Sequence, residues 1–324
     1  MLFKHAETHD FKLFFSFDMT GFTDPTQFIP FLQSYVTNPA HFQYKGLPFV
    51  STFNGGASSF TFGQASVNDG WKSKLMEAMS SAGSPVFFVP SFQDVACTED
   101  FFSKTFPALD GAFNWDSWPH EAVGIAKVST TEDNTYIKGA HSTDKTFMMG
   151  ISPLQFKHMD SGNNWYRRGA GNLEHRFSQI LDLGPDFVQF QTWNDAGEGH
   201  YMGNIWPEPA QTAPQIQAYT EDYGHSGYNQ ILPAFIAAYK AGATTTDSMQ
   251  PTNGKKAQGT FWHHALLKDA DCSADGLGKP AGVENVEDIV AVSVFPPFKY
   301  QKLTSTGNHS RCTRNHDLHS NDNC

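Results

Sequence analysis

Six apolar or aromatic runs, each bounded by turn residues, recur along the first two thirds of the chain: FKLFFSFDM (residues 11–19), LPFVSTFNGG (47–56), PVFFVPSFQ (85–93), GAFNWDSWP (111–119), FMMGISPLQF (147–156) and DFVQFQTWND (186–195). Near-continuous apolar runs of this length predict strands buried on both faces, as in a parallel sheet, and not the alternation of a sheet with one wet side. Between them lie helix-compatible stretches: DPTQFIPFLQSYVTN, NDGWKSKLMEAMSSAG, TEDFFSKTFPAL and GNLEHRFSQILDLG. The last sets Leu173, Phe177, Ile180 and Leu181 on one face and offers Gly184 as a stop. Strand and helix alternating at roughly 26 to 40 residues predict βα units, and a closed parallel barrel is the common way to use many of them.

In five of the six runs a polar group follows the apolar stretch: Asp18, Asn54, Gln93, Asp116, and then Asn194 with Asp195. Barrel enzymes carry their chemistry at that end of the strands. An open doubly wound sheet is the structural alternative, but it usually brings a Gly-rich phosphate loop, and the chain has no GxGxxG and no Walker-type sequence.

After Gly242 the composition changes to ATTTDSMQPTNGKKAQG, which reads as a linker over residues 245–258. Candidate strands GTFWHHALL and EDIVAVSVF then predict a partial β-rich region over 259–300, and the polar tail 301–324 has too few apolar residues to pack. Residues 1–244 are left as the catalytic (β/α) barrel.

Composition narrows the partners. Aromatic content of 14% beside only 17% charged residues fits a packed, carbohydrate-handling chain, and a net charge of −11 with no Lys/Arg cluster argues against nucleic acid. No run of about eighteen apolar residues would span a membrane, and MLFKHAETHDFK lacks the apolar core of a signal peptide. Cys97, Cys272, Cys312 and Cys324 include no CxxC pair, so disulfide pairing and oligomeric state stay open.

The densest chemistry lies in QTWNDAGEGHY (191–201), where Asp195 and Glu198 stand three apart between Trp193 and Tyr201. Cleaving a glycosidic bond takes one carboxylic acid to protonate the leaving oxygen and one carboxylate to activate water or attack the sugar. Gly197 and Gly199 permit unusual backbone angles in that loop, and Trp193, Asn194, His200, Tyr201 and Trp206 are candidate substrate contacts beside it. The plainer reading is a solvated loop in which Glu198 caps a helix. Asp18 and Asp116 are further candidate acids, while Asn54, Gln93, Trp115, Trp118 and Trp165 could meet sugar or simply fill core. His263 and His264 lack HExxH spacing, no GxSxG elbow occurs, and Cys312, His316, His319 and Cys324 have no apolar scaffold for zinc.

FKLFFSFDM, VFFVPSFQ, DGAFNWDSWP, MMGISPLQFKHM with NNWYRRG, and DFVQFQTWNDAGEGHYMGNIWPE together resemble glycoside hydrolase family 71, the fungal α-1,3-glucanases or mutanases. The similarity runs from about Phe11 to about Gly242. It implies an α/β fold, a (β/α)8 TIM-type barrel followed by a β-rich C-terminal region, endo-acting hydrolysis of α-1,3-glucosidic links in wall glucan with inversion, no metal or other cofactor, and an extracellular or cell-wall location. Its acids fall on Asp195, Glu198 and Asp18. Members begin with two further βα units and a secretion signal, so the expectation is a barrel lacking its first two βα units; Ala170 stands where members tend to carry an acid. Two alternatives remain at this point: a chain that binds glucan without hydrolysing it, and a barrel hydrolase acting on another polysaccharide.

Overall fold

The computed structural model describes residues 1–120, 127–159, 162–203, 205–295 and 299–304. Its strands are β1 (Phe15–Asp18), β2 (Gln43–Tyr44), β3 (Leu47–Phe53), β4 (Phe87–Phe88), β5 (Gly111–Asn114), β6 (Thr146–Ile151), β7 (Gln155–Lys157), β8 (Trp165–Arg167), β9 (Phe187–Phe190), β10 (Gln258–His263), β11 (Ile289–Phe295) and β12 (Lys299–Thr304). Each of the six apolar runs supplies one of β1, β3, β4, β5, β6 and β9.

The chain divides into two compact units. The first comprises Met1–Asp116, Thr130–Gly150 and Pro185–Gln189; the second comprises Ser117–Ser129, Ile151–Gly184 and Phe190–Cys324. The boundary expected at residue 244 does not coincide with this division, because residues on both sides of it belong to the second unit.

In the first unit β1, β3 and β4 pair in parallel, with Phe15 opposite Val50 and Phe49 opposite Phe87. β5 pairs in parallel with β6, Gly111 opposite Thr146, in a sheet completed by β9. The Phe113 N–H donates to Pro90 O at 2.8 Å, and the Phe88 N–H donates to the Asp110 carboxylate at 2.8 Å, so β4 and β5 lie side by side. The strands therefore run in chain order. β5 and β6 are buried along their length, as continuous apolar runs require, whereas β1 exposes Ser16 and Asp18. Among the described residues β1 pairs with β3 alone. The pairings run from β1 to β9 without closing a ring among the described residues; the fold is mixed α/β with parallel sheets.

Phe49, Phe87, Val89, Phe113 and Met148 form the core here, with Phe187 edge-on to Phe49 at 5.2 Å. Burying each such side chain stabilises the unit by about 1.5–3 kcal/mol. Helix Leu2–Thr8, which the polar start of the chain did not predict, contributes Phe3, stacked on Tyr35 at 4.5 Å. Helix Thr131–Ser142 was also unpredicted; its Asp133 is fully buried and accepts from the Asn114 amide at 2.8 Å.

In the second unit, helix Asn172–Leu183 buries Leu173, Phe177, Ile180 and Leu181, and Gly184 ends it in the left-handed region at φ 60°. Strands β10, β11 and β12 form an antiparallel sheet, Gln258 opposite Phe295 and Ile289 opposite Thr304. Residues 301–304, expected in the unstructured tail, belong to β12 because their backbone pairs with β11. The rest of that expected tail, 305–324, with Asn308, Cys312, His316, His319 and Cys324, lies outside the described residues. The expected linker contains the turn Thr246–Ser248 and the buried Met249.

Candidate active site

The loop after β9 is pinched at its neck: the Thr192 N–H donates to His200 O and the Met202 N–H to Thr192 O, both at 2.9 Å. The Gln191–Thr192 peptide at its entrance is cis. Inside the neck the Thr192 hydroxyl accepts from the Asp195 N–H at 2.9 Å, and Asp195 Oδ1 accepts from the Glu198 N–H at 3.1 Å. Gly199, at φ 67°, lets the chain turn back against β7, where the Phe156 N–H donates to Glu198 O at 2.8 Å. A Cβ on Gly199 would come within 2.7 Å of the Phe156 carbonyl oxygen, so only glycine fits.

His200 stands beneath both acids, 1% exposed, its Nε2 3.1 Å from Asp195 Oδ2 and 3.8 Å from Glu198 Oε2. Its proton can be placed by elimination. A guanidinium only donates, so Gln155 Oε1, 2.6 Å from Arg167 Nη1, is the acceptor and Gln155 Nε2 is the donor. That Nε2 lies 3.4 Å from His200 Nδ1 and 3.2 Å from Glu198 Oε2. Nδ1, which also has the Ser152 hydroxyl at 3.4 Å as a possible donor, is therefore the accepting nitrogen, and Nε2 carries the hydrogen that points at Asp195.

The two carboxyls are driven apart. Burial alone would raise both. For Asp195 it is outweighed by the hydrogen bond from His200 and by the Glu198 and Gly197 backbone N–H groups, which hold the group below the usual carboxylate range. For Glu198, burial and then the Asp195 charge push it up, against the pull of Lys157 and Arg167. One acid is thus held ionised and its neighbour is biased toward the protonated form.

The aromatic candidates separate just as clearly. Trp193 and Trp206 are 62% and 64% exposed and present open faces. Trp193 rests on Gly203, where a Cβ would fall 2.3 Å from its ring. Trp118 is buried beneath Arg167 at 5.0 Å, and Trp165 carries Arg167 at 5.0 Å and Lys157 at 4.3 Å, so cations cover the faces assigned to sugar. His200 and Tyr201 are each 1% exposed, the latter stacked on His225 at 3.9 Å, so neither presents an open ring face. A largely apolar cavity of about 600 Å³ in the same unit takes in Phe156, Gly199, Tyr201 and Trp262, but its walls include neither Asp195 nor Glu198.

Asn194 is exposed beside the acids. Asp18, Asn54, Gln93, Trp115 and Asp116 belong to the first unit. Asp18 is exposed and accepts from the Thr20 N–H at 2.9 Å and the Thr20 hydroxyl at 2.7 Å. Asn54 is left-handed at φ 58°, Gln93 is exposed, Trp115 packs on Phe53 and Phe113, and the Asp116 N–H donates to Asn114 Oδ1 at 3.2 Å. The residues that sequence reasoning passed over are Gln155 on β7 and Arg167 on β8, paired strands with Gln155 opposite Arg167. Both lie inside the motif stretches, Gln155 in FMMGISPLQF and Arg167 in NNWYRRG, with nothing there to single them out.

Among the described residues, the donor atoms of Asp195, Glu198 and His200 lie within 4.8 Å of one another, close enough to surround a cation. The hydrogen bond between His200 and Asp195 already uses two of those donors, so the trio is read as a proton-holding group.

The family model for glycosyl hydrolase family 71 matches residues 1–315. A glucan endo-1,3-alpha-glucosidase of Schizosaccharomyces pombe is 32% identical over 287 residues, 88% of this chain and 63% of the relative. An ascus wall endo-1,3-alpha-glucanase of the same yeast is 28% identical, covering 90% of this chain and 65% of the relative, and a mutanase of Penicillium rubens is 28% identical, covering 96% and 64%. The chain therefore spans a little under two thirds of the length of these relatives, 63–65%. Among solved structures, the GH99 endo-alpha-mannosidase of Bacteroides thetaiotaomicron aligns with 62% of this chain and 58% of its own at 14% identity and a TM-score of 0.45, a likeness too slight to argue from.

Proposed function

The chain belongs to glycosyl hydrolase family 71, and from that premise we propose that it hydrolyses α-1,3-glucosidic linkages within glucan chains, outside the cell or in the wall. The observation that carries this reading is the pair of acids held in opposite protonation tendencies three residues apart, Glu198 raised and Asp195 lowered. Glycosidic cleavage needs that division of labour. Glu198 gives its proton to the bridging oxygen as the C1–O bond breaks; ionised Asp195 faces the positive charge that develops at C1. Water then adds at C1; its proton passes to Glu198 if the product is retained, or to a separate carboxylate if it is inverted, in which case exchange with solvent reprotonates Glu198 and restores the starting state. Trp193 and Trp206 offer flat faces on which glucose rings stack. We further propose that the strands in chain order are part of a (β/α)8 barrel, with the β10–β12 sheet as the β-rich region after it, and that no cofactor takes part.

Inversion requires about 6.5–9.5 Å between acid and base, about 5–5.5 Å being the retaining distance. The donor oxygens of Asp195 and Glu198 are within 4.8 Å. The anomer of the first product therefore assigns the second step. Retained α product makes Asp195 the nucleophile; inverted β product moves the base to another carboxylate and leaves Asp195 as electrostatic support.

The test is reducing-sugar release from insoluble α-1,3-glucan, with β-1,3- and α-1,4-glucans as controls, for wild type and Glu198→Gln. Release confined to the α-1,3 substrate and abolished by the substitution is the expected result. Binding to the glucan without release would leave a glucan-binding protein and end the hydrolytic reading.

A further inference from the structure

Behind Glu198 lies a second group of side chains that the acid–base scheme does not use. Arg167 sits 5.0 Å from the ring centres of both Trp118 and Trp165, so its guanidinium is held by two indoles. It donates to Gln155 Oε1 at 2.6 Å, a short, charge-assisted bond. Gln155 is fully buried and spends its two amide hydrogens on Glu198 Oε2 at 3.2 Å and His200 Nδ1 at 3.4 Å. A side-chain amide could otherwise flip its oxygen toward Glu198; the arginine forbids this because it needs an acceptor. Trp118, Arg167, Gln155 and Glu198 thus form one chain of contacts, all within the second unit.

We propose that Arg167 and Gln155 are positioning residues for proton donation by Glu198: the indole-clamped arginine fixes the Gln155 amide, which engages Oε2 and leaves Oε1 as the oxygen that carries the proton to the leaving group. This rests on the reading of Glu198 as the acid. Two consequences separate it from a merely structural role. An error in acid placement matters only where the leaving group needs a proton. The arginine's charge also acts on Glu198, so removing it lets the carboxyl titrate at higher pH.

The experiment compares Arg167→Met, Arg167→Lys and Gln155→Met with wild type and Glu198→Gln on two substrates: α-1,3-glucan and a 2,4-dinitrophenyl glycoside of an α-1,3-linked glucose oligomer, whose leaving group departs without help. Misplacement by a fraction of an ångström to one ångström lowers turnover on glucan by about 100-fold. The expected result is that loss for Arg167→Met and Gln155→Met on glucan, with near wild-type turnover on the dinitrophenyl substrate, and a basic limb of the kcat–pH profile moved to higher pH in Arg167→Met. Arg167→Lys keeps the charge but not the fork, so its limb stays while its glucan turnover falls. Equal losses on both substrates, or a stationary limb in Arg167→Met, overturn the proposal. Failure of one variant to fold, seen by circular dichroism, shifts the decision to the other two. A Glu198→Gln enzyme equally impaired on both substrates would overturn the assignment of the acid itself, and with it this inference.

Discussion

The acids of the two units follow the same kind of strand end and are held differently. In the first unit Asp94 gives its carboxylate to the backbone: the N–H groups of Gly55, Gly56 and Ala57 donate to it at 2.9–3.3 Å, pinning the turn after β3 where Asn54 and Gly55 are both left-handed. Asp18 is engaged by Thr20 in the same manner. In the second unit Asp195 and Glu198 are engaged by ionisable or oriented side chains, His200, Gln155 and each other's loop. A carboxylate satisfied by backbone N–H groups has an ordinary task and fixes shape. One whose neighbours are themselves titratable has its proton affinity set by them, and that is what chemistry uses.

The largest effect separating the two kinds belongs to Glu198→Gln, expected to lower kcat on α-1,3-glucan by about 10³-fold with an unchanged thermal midpoint; a comparable fall in the midpoint would make this acid structural too. The same contrast fixes the shape of the pH profile. Raised Glu198 keeps its proton to higher pH than an ordinary glutamate, and lowered Asp195 stays ionised to lower pH than an ordinary aspartate. Activity should therefore fall on the alkaline side as Glu198 ionises and on the acid side as Asp195 protonates; Asp195→Asn, measured from pH 3 to 9, should remove the acid limb while the alkaline limb persists. Next in size, Asp94→Ala should cost about 2 kcal/mol of stability in denaturant unfolding, with kcat per folded molecule preserved. Smaller again is Gly203→Ala, whose Cβ would displace the Trp193 ring; KM for glucan should rise about tenfold, roughly 1.4 kcal/mol, with kcat little altered. Smallest is Asp18→Ala, expected to change activity by less than about threefold. A loss near that of Glu198→Gln would break the comparison and place Asp18 among the working acids, as the family resemblance implies.

What the sequence disclosed follows from how local its signals are. Continuous apolar runs located six strands, four of them (β3 to β6) because burial on both faces leaves no alternation to misread, and Gly184 marked a helix end through its backbone freedom. Helix Thr131–Ser142 escaped notice because its buried face includes Asp133 beside Tyr136 and Ile137, and the carboxylate's partner, Asn114, lies in a distant strand. The site divides along the same line. Asp195 and Glu198 are neighbours in sequence and were legible as a pair, whereas Gln155 and Arg167 reach Glu198 only because β7 and β8 pair and the loop after β9 folds back onto them. The tryptophans were legible as a set but not individually; nothing in NWDSW or NNWYRRG tells that Trp118 and Trp165 flank a guanidinium while Trp193 and Trp206 stay open.

The burial of His200 has a consequence for how such a molecule can change over generations. Because the imidazole meets Asp195 and Glu198 from a position only 1% exposed, the proposed acid pair would be tuned from its buried side. On the proposed reading, substitutions at Trp193, Asn194 and Trp206, all exposed, would alter grip without resetting the acids. Substrate preference could then drift one surface residue at a time while the proposed acid pair is inherited intact, and an engineer seeking a different glucan should begin there.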